Sequence, residues 1–348
     1  MKQTLYRNAS KFAAQQMCAI QTSTPGTGPA SRHAMRRLYH PPVFILAAPR
    51  SYTSVVCAML GQHPQMYATP ELHLFQSETM AEWFELCQSA SFPRAHGMLR
   101  AVAQLFFGEQ REETIRLARS WLRERTHLTT GQLLRRLTAR IYPATLVEKS
   151  PSVNMDQDSM ARARRMFPRA RFLHLVRHPS GQGASVLNYM KVRAQHGPIP
   201  PTHWLKGLAW YGQPTDDERE PDPQHAWYAL NRGICQFLKS VPEGQQWTIR
   251  GEDVLARPEE TLRPLLDWLN LRTDADAIER MKHPEHSPYA CPGPQGAEFG
   301  NDRFFLQNPT LRPEKAPEQS LEGPVSWSAS RYGLTREVVE LARQFGYR

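Results

Sequence analysis

Residues 43–56 run from an apolar, strand-like stretch, Val43–Ala48, through a hydroxyl-rich turn into an apolar helical pattern. A buried strand that empties into a short loop and a helix is the unit from which open α/β sheets are wound. Such a unit points the N–H groups of the first helical turn at the carboxyl edge of the sheet, where they attract an anion. Arg50 adds a fixed positive charge there, and Ser51, Thr53 and Ser54 add hydroxyl donors. The glycine pair and Lys-Ser/Thr of an ATP-binding phosphate loop are missing from this stretch. The loop is therefore expected to hold an anion, but not an ATP–magnesium complex.

Three more apolar runs read as buried parallel strands: Ala144–Glu148, Arg171–Val176 and Gln246–Arg250. The third of the four strands leads into a helix over Gly181–Met190, and the fourth into one over Pro258–Leu269. Between the first two strands, residues 79–141 carry apolar residues at helical spacing. That span is too long for a simple crossover and predicts a helical cap insertion. Residues 192–225 and 283–317 are rich in proline and aromatic residues and lack periodicity, as irregular flap loops walling a ligand pocket would. Residues 1–40 read as a partly helical, flexible arm, with one domain over 41–348. The expected fold class is α/β, a parallel sheet flanked by helices.

The 43 Lys+Arg against 33 Asp+Glu among 348 residues give a formal net charge of +10, which favours anionic partners without choosing among them. The charges are dispersed, without the long basic run of a nucleic-acid tail, so no nucleic-acid partner is expected. Five scattered cysteines without C-x-x-C spacing argue against a disulfide framework or structural zinc and fit a cytoplasmic location. No apolar stretch reaches the length of about 20 residues that a membrane helix needs, so no stable membrane insertion is expected.

Arg177 stands where the third strand ends, and Ser185 follows it by eight inside the next helix. If the first and third strands are neighbours, Arg177 and Ser185 are placed to bind a second phosphate beside the Arg50 loop. Otherwise Arg177 caps the sheet edge by pairing with a carboxylate. His73 stands two residues beyond Glu71, so in an extended segment the two share a face, and either is a candidate general base. His283 and His286 have metal-ligand spacing but no further ligand at recognisable distance, so no metal site is expected.

Taken together, these segments resemble the sulfotransferases. Pro49–Ser54 resembles their 5′-phosphosulfate loop, and Leu175–Ser185 their 3′-phosphate motif. Arg250–Val254 with Pro258–Leu262 resembles a late Arg-Tyr-Glu-Asp-Leu segment, and Leu341–Tyr347 the closing helix. The likeness spans about residues 41–348 and is nearest to protein-tyrosine-type and bacterial polyketide-associated members. It implies a P-loop-like sulfotransferase fold, PAPS (3′-phosphoadenosine-5′-phosphosulfate) as donor, 3′,5′-ADP as product and no metal. It implies that Arg50, Ser51, Tyr52, Thr53, Ser54 and Val55 hold the 5′ end of the nucleotide and Arg177 and Ser185 its 3′-phosphate. Gly300 and Asn301 would lie in the loop that closes over it. Glu71 would be the catalytic base, or would orient His73. Lys149 would face the sulfuryl oxygens, and His286 would recognise a group on the acceptor. The acceptor implied is a small molecule or a chain carried by an acyl carrier protein, as in secondary metabolism. Two departures stand out: Tyr52 replaces the loop glycine, a residue for which positive φ would be strained, and Gly251 replaces the tyrosine of the late segment. The alternatives are a phosphate-loop nucleotide kinase or other NTPase, and an inactive PAP-binding scaffold.

Overall fold

The computed structural model describes residues 39–89, 94–195, 222–312, 320–328 and 331–348. The arm expected over residues 1–40 falls, except for Tyr39 and His40, outside the described residues, as do positions 196–221 and 313–317 of the expected flaps. Tyr39 packs edge-on against Phe167, and His40 stacks on Tyr142, so the folded part takes in both.

Five strands form one parallel sheet: β1 (Val43–Leu46), β2 (Met66–Ala68), β3 (Thr145–Glu148), β4 (Arg171–Val176) and β5 (Gln246–Arg250). Their order is β2-β3-β1-β4-β5. The four runs read as strands are all present, and β1 and β4 are neighbours, with Val43 paired to Arg171 and Leu46 to His174. The strand that sequence reading missed is β2, three residues at the edge, too short to give a run.

Alternation along the strands divides the core. Phe44, Leu46 and Phe172 face one apolar cluster, shared with the helices Met80–Ser89, Ala95–Phe107, Glu112–Arg123 and Thr130–Ile141. Val43, Ile45, Leu173 and Leu175 face another, shared with the helices Thr53–Gly61 and Pro258–Trp268. The helices of residues 80–141 thus complete one face of the sheet. They are also fastened to the loop of residues 288–299 by Arg100, whose side chain is fully buried. Its guanidinium donates to the carbonyls of Phe299 (3.1 Å) and Pro288 (3.5 Å) and to Gln110 Oε1 (2.6 Å).

After β1 the chain moves outward to β2 and returns to β3, then crosses β1 to continue at β4 and β5. The order reverses at β1, so a crevice opens at the carboxyl ends of β3, β1 and β4. The late segment braces this edge. The buried Glu252 accepts from the amide of His178 (2.8 Å) and the hydroxyl of Tyr347 (2.9 Å). It thereby ties the tip of β4 to the closing helix Arg336–Gln344 and the residues after it.

Candidate functional site

The loop after β1 is held by its carbonyls. Asn154 donates to Ala47 O (2.6 Å), Gln182 to Pro49 O (2.7 Å) and Arg177 Nη1 to Arg50 O (2.8 Å). Between these ties Arg50 and Tyr52 take positive φ, 70° and 62°. Tyr52 therefore occupies the left-handed conformation that its side chain makes costly, by about 1–3 kcal/mol. Tyr52 is also the N-cap of the helix Thr53–Gly61, and its side chain makes no capping hydrogen bond. The amides of Thr53, Ser54 and Val55 lie ahead of the first intrahelical acceptor, the Tyr52 carbonyl, which takes Val56 N–H at 3.0 Å. The first turn carries no acidic residue.

Two buried polar atoms at this edge, Ser51 Oγ and Arg177 Nε, have no hydrogen-bond partner among the described residues. Buried polar groups are almost always satisfied, so orphans beside an uncapped helix start fit an anionic ligand that would complete them. Among the described residues Arg177 pairs with no carboxylate; it braces the loop and lies over the Tyr52 ring, 4.1 Å from its centroid.

Arg50 reaches the opposite wall. Its Nε donates to Ser185 Oγ at 3.3 Å, and its guanidinium is paired with Asp302. It is flanked by the rings of Tyr189 and Phe304, each 5.2 Å from its central carbon. Arg50, Arg177 and Ser185 are thus brought together at the tips of β1 and β4. Asp302, which also caps the short helix Arg303–Gln307 through Phe304 N and Phe305 N, joins them and was missed by sequence reading.

On the other side of β1, Lys149 follows β3 and is almost wholly buried. Its Nζ donates to Glu71 Oε1 (2.5 Å) and to Ser54 Oγ (2.9 Å), which places it at the head of the helix Thr53–Gly61. Burial by itself would raise the Glu71 carboxyl. Lys149 and then His73 outweigh it and hold Glu71 down at about 2. His73 Nε2 stands 3.4 Å from Glu71 Oε2, and its Nδ1 is 3.1 Å from Ser152 Oγ. His73 is not extended as expected but has φ of 52°. It still meets Glu71, because its amide is fixed on Ser150 Oγ at 2.8 Å. Of the pair, His73 is buried at 4%, whereas the Glu71 side chain is 20% exposed. Glu71 is therefore the more solvent-accessible member of the pair.

The Glu71 segment is positioned from both sides. Its N–H donates to Gly300 O (2.8 Å), and the buried Glu148 accepts from Leu72 N (3.4 Å) and from Ser150. Gly97 lies so close that a Cβ there would stand 2.0 Å from the Glu71 carbonyl oxygen. Asn301 donates to Tyr289 O at 3.1 Å and, with Ser54, Thr69 and Ser287, lines a small cleft beside the helix start. Gly300 and Asn301 accordingly contact the Glu71 side of the crevice, and Asp302 the Arg50 side.

His286 is exposed and stacks on His283, with centroids 5.1 Å apart. Glu285 supplies the third group that spacing did not reveal, and donor atoms of His283, Glu285 and His286 lie within 4.8 Å of one another. His283 Nδ1 is already engaged by Glu285 at 2.9 Å. Among the described residues no helix is long and apolar enough to cross a membrane.

Residues 41–275 match the model of the sulfotransferase family, and the chain belongs to that family. In solved structures it is similar to the sulfotransferase domain from the curacin biosynthetic pathway, at 23% identity and a TM-score of 0.65. The match covers 89% of this chain and 99% of that one. It is equally similar to the sulfotransferase domain of the Synechococcus PCC 7002 olefin synthase, at 23% identity and a TM-score of 0.64. That match covers 93% of this chain and 99% of that one. The fold is thus the P-loop-like sulfotransferase architecture. No curated protein sequence matches the chain.

Proposed function

We propose that this protein transfers a sulfuryl group from PAPS to a hydroxyl of its acceptor. The observation that carries the reading is the Lys149 side chain, which joins Glu71 to Ser54 at the head of an uncapped helix. Arg177 and Ser185 would hold the 3′-phosphate. The Thr53–Val55 amides and Ser51 would hold the 5′-phosphosulfate, and Arg50 would turn to it from Asp302. The donor supplies an activated sulfuryl group for in-line transfer between two oxygens, a reaction in which positioning and charge stabilisation do most of the work.

Glu71 would take the proton of the acceptor hydroxyl. Held at about 2, its carboxylate is charged at any working pH but a weak base. As negative charge grows on the departing oxygens, Lys149 is drawn toward them and its grip on Glu71 loosens. The carboxylate is then left with burial, which raises its affinity for a proton when the acceptor gives one up. His73 steadies the second carboxylate oxygen.

For the acceptor, the reading favours a chain borne on an acyl carrier protein. The similar domains come from the curacin pathway and an olefin synthase, and the net charge of +10 suits an acidic carrier. The test is a labelled sulfate-transfer screen over carrier-bound, peptide, lipid and phenolic acceptors. Glu71→Gln should lower turnover about 100-fold or more while leaving the affinity for 3′,5′-ADP unchanged. Wild-type turnover in that variant would move the base elsewhere, and no transfer to any acceptor would leave a nucleotide-binding scaffold.

A further inference from the structure

The two positions at which this chain departs from the sulfotransferase motifs, Tyr52 and Gly251, lie 199 residues apart and touch. A Cβ built on Gly251 would stand 2.6 Å from Cδ2 of the Tyr52 ring, and 3.4 Å from its Cγ. No side chain fits at position 251 while that ring keeps its place. The ring in turn is held in place at a cost, because Tyr52 sits at φ of 62°. Strain of this kind persists only where the surroundings over-determine it, and it gathers at sites of function.

What the ring does there is visible on its other side. The Arg177 guanidinium covers it at 4.1 Å from the centroid, while Nη1 is pinned to the Arg50 carbonyl at 2.8 Å. One face and one nitrogen of Arg177 are thereby fixed, and the buried Nε is left without a partner among the described residues. These contacts hold a long, flexible side chain in one orientation. The lack of an N-terminal side-chain cap on the helix Thr53–Gly61 belongs to the same arrangement, since the residue at the cap position spends its side chain on Arg177.

We propose that Tyr52 and Gly251 are a matched pair: the ring, seated in the space that glycine leaves, is the platform that aims Arg177. It thereby sets the preference of the site for nucleotides bearing a 3′-phosphate. Tyr52 is a positioning residue and acts through Arg177. The proposal rests on the nucleotide reading above for the identity of the ligand, whereas the steric pairing stands on its own.

The test is a cycle of four proteins, wild type, Tyr52→Gly, Gly251→Ala and the double variant, together with Tyr52→Phe. Each is titrated calorimetrically with 3′,5′-ADP and with 5′-AMP, and melted without nucleotide. The readout is the ratio of the two affinities, which a general loss of folding or of site shape does not move selectively. Tyr52→Gly should reduce the ratio about tenfold, the scale of a partly desolvated guanidinium–ring contact, while Tyr52→Phe keeps it. Gly251→Ala should lower both the ratio and the melting temperature in the wild-type background, and neither in the Tyr52→Gly background. An unchanged ratio in Tyr52→Gly overturns the proposal, as does a Gly251→Ala penalty of equal size in both backgrounds. A wild type that binds 5′-AMP as tightly as 3′,5′-ADP overturns the nucleotide reading instead, and the melting cycle still decides whether the two residues are coupled.

Discussion

Replacing Lys149 with methionine keeps much of the side chain's volume and removes its charge, leaving Glu71 in the crevice without its principal partner. The size of the effect follows from the carboxyl. Held at about 2 instead of the ordinary 4.5, its charged form is favoured by about 3 kcal/mol. Both groups are well enough enclosed for that figure to count, with side-chain exposures of 1% and 20%. Because the folded state lowers this pKa, the stabilisation is present above about pH 4.5. It is lost as the pH falls from there toward 2. In Lys149→Met, burial remains and only His73 opposes it, so the carboxyl rises. The variant should therefore be less stable than wild type by about 3 kcal/mol at pH 7, within the range for breaking a buried pair. The deficit should shrink by roughly 1 kcal/mol per pH unit once Glu71 begins to protonate in the variant. Urea unfolding followed by tryptophan fluorescence at pH 7 and pH 4 measures both values. A deficit identical at the two pH values would show that Lys149 contributes packing alone. The ion pair would then not be the reason for the position of Glu71.

Two further outcomes are expected. Asp302→Asn keeps a cap for the helix Arg303–Gln307 but removes a carboxylate from Arg50. It should tighten 3′,5′-ADP by about fivefold at low salt and less at high salt, measured by calorimetry; weaker binding would mean that Asp302 positions Arg50 for the ligand. Gly97→Ala, whose Cβ would press on the Glu71 carbonyl from 2.0 Å, should lower stability by about 1–3 kcal/mol and reduce turnover without changing nucleotide affinity. Unaltered turnover in that variant would separate the Glu71 backbone from the chemistry.

The parts of the fold legible in the sequence were those whose physics is local. β1, β3 and β4 lie inside the sheet and show as largely apolar, buried runs, the edge strand β5 shows through Trp247 and Ile249 alone, and the helix after β1 announces its start through the polar turn. The edge strand β2 is three residues long and has no run to show. The conformation of Tyr52 was out of reach, because nothing near it in the chain compensates its strain; the compensation comes from Gly251 and Arg177. The same holds at the site. Arg50, Glu71, Lys149, Arg177 and Ser185 were singled out by motif, yet their partners were not. Lys149 finds Glu71 from 78 residues away, and Arg50 finds Asp302 from 252. Gly97 and Arg100 look like ordinary helix residues until the loops they touch, at Glu71 and at residues 288–299, are folded against them.

The central claim is that the tips of β1 and β4 grip opposite ends of one nucleotide. A crystal structure with 3′,5′-ADP tests it most directly. The account predicts the 5′-phosphate on the amides of Thr53–Val55 and the 3′-phosphate on Arg177 and Ser185, with Arg177 still over the Tyr52 ring. Nucleotide bound away from this crevice, or bound there with Arg177 turned from it, would contradict the account.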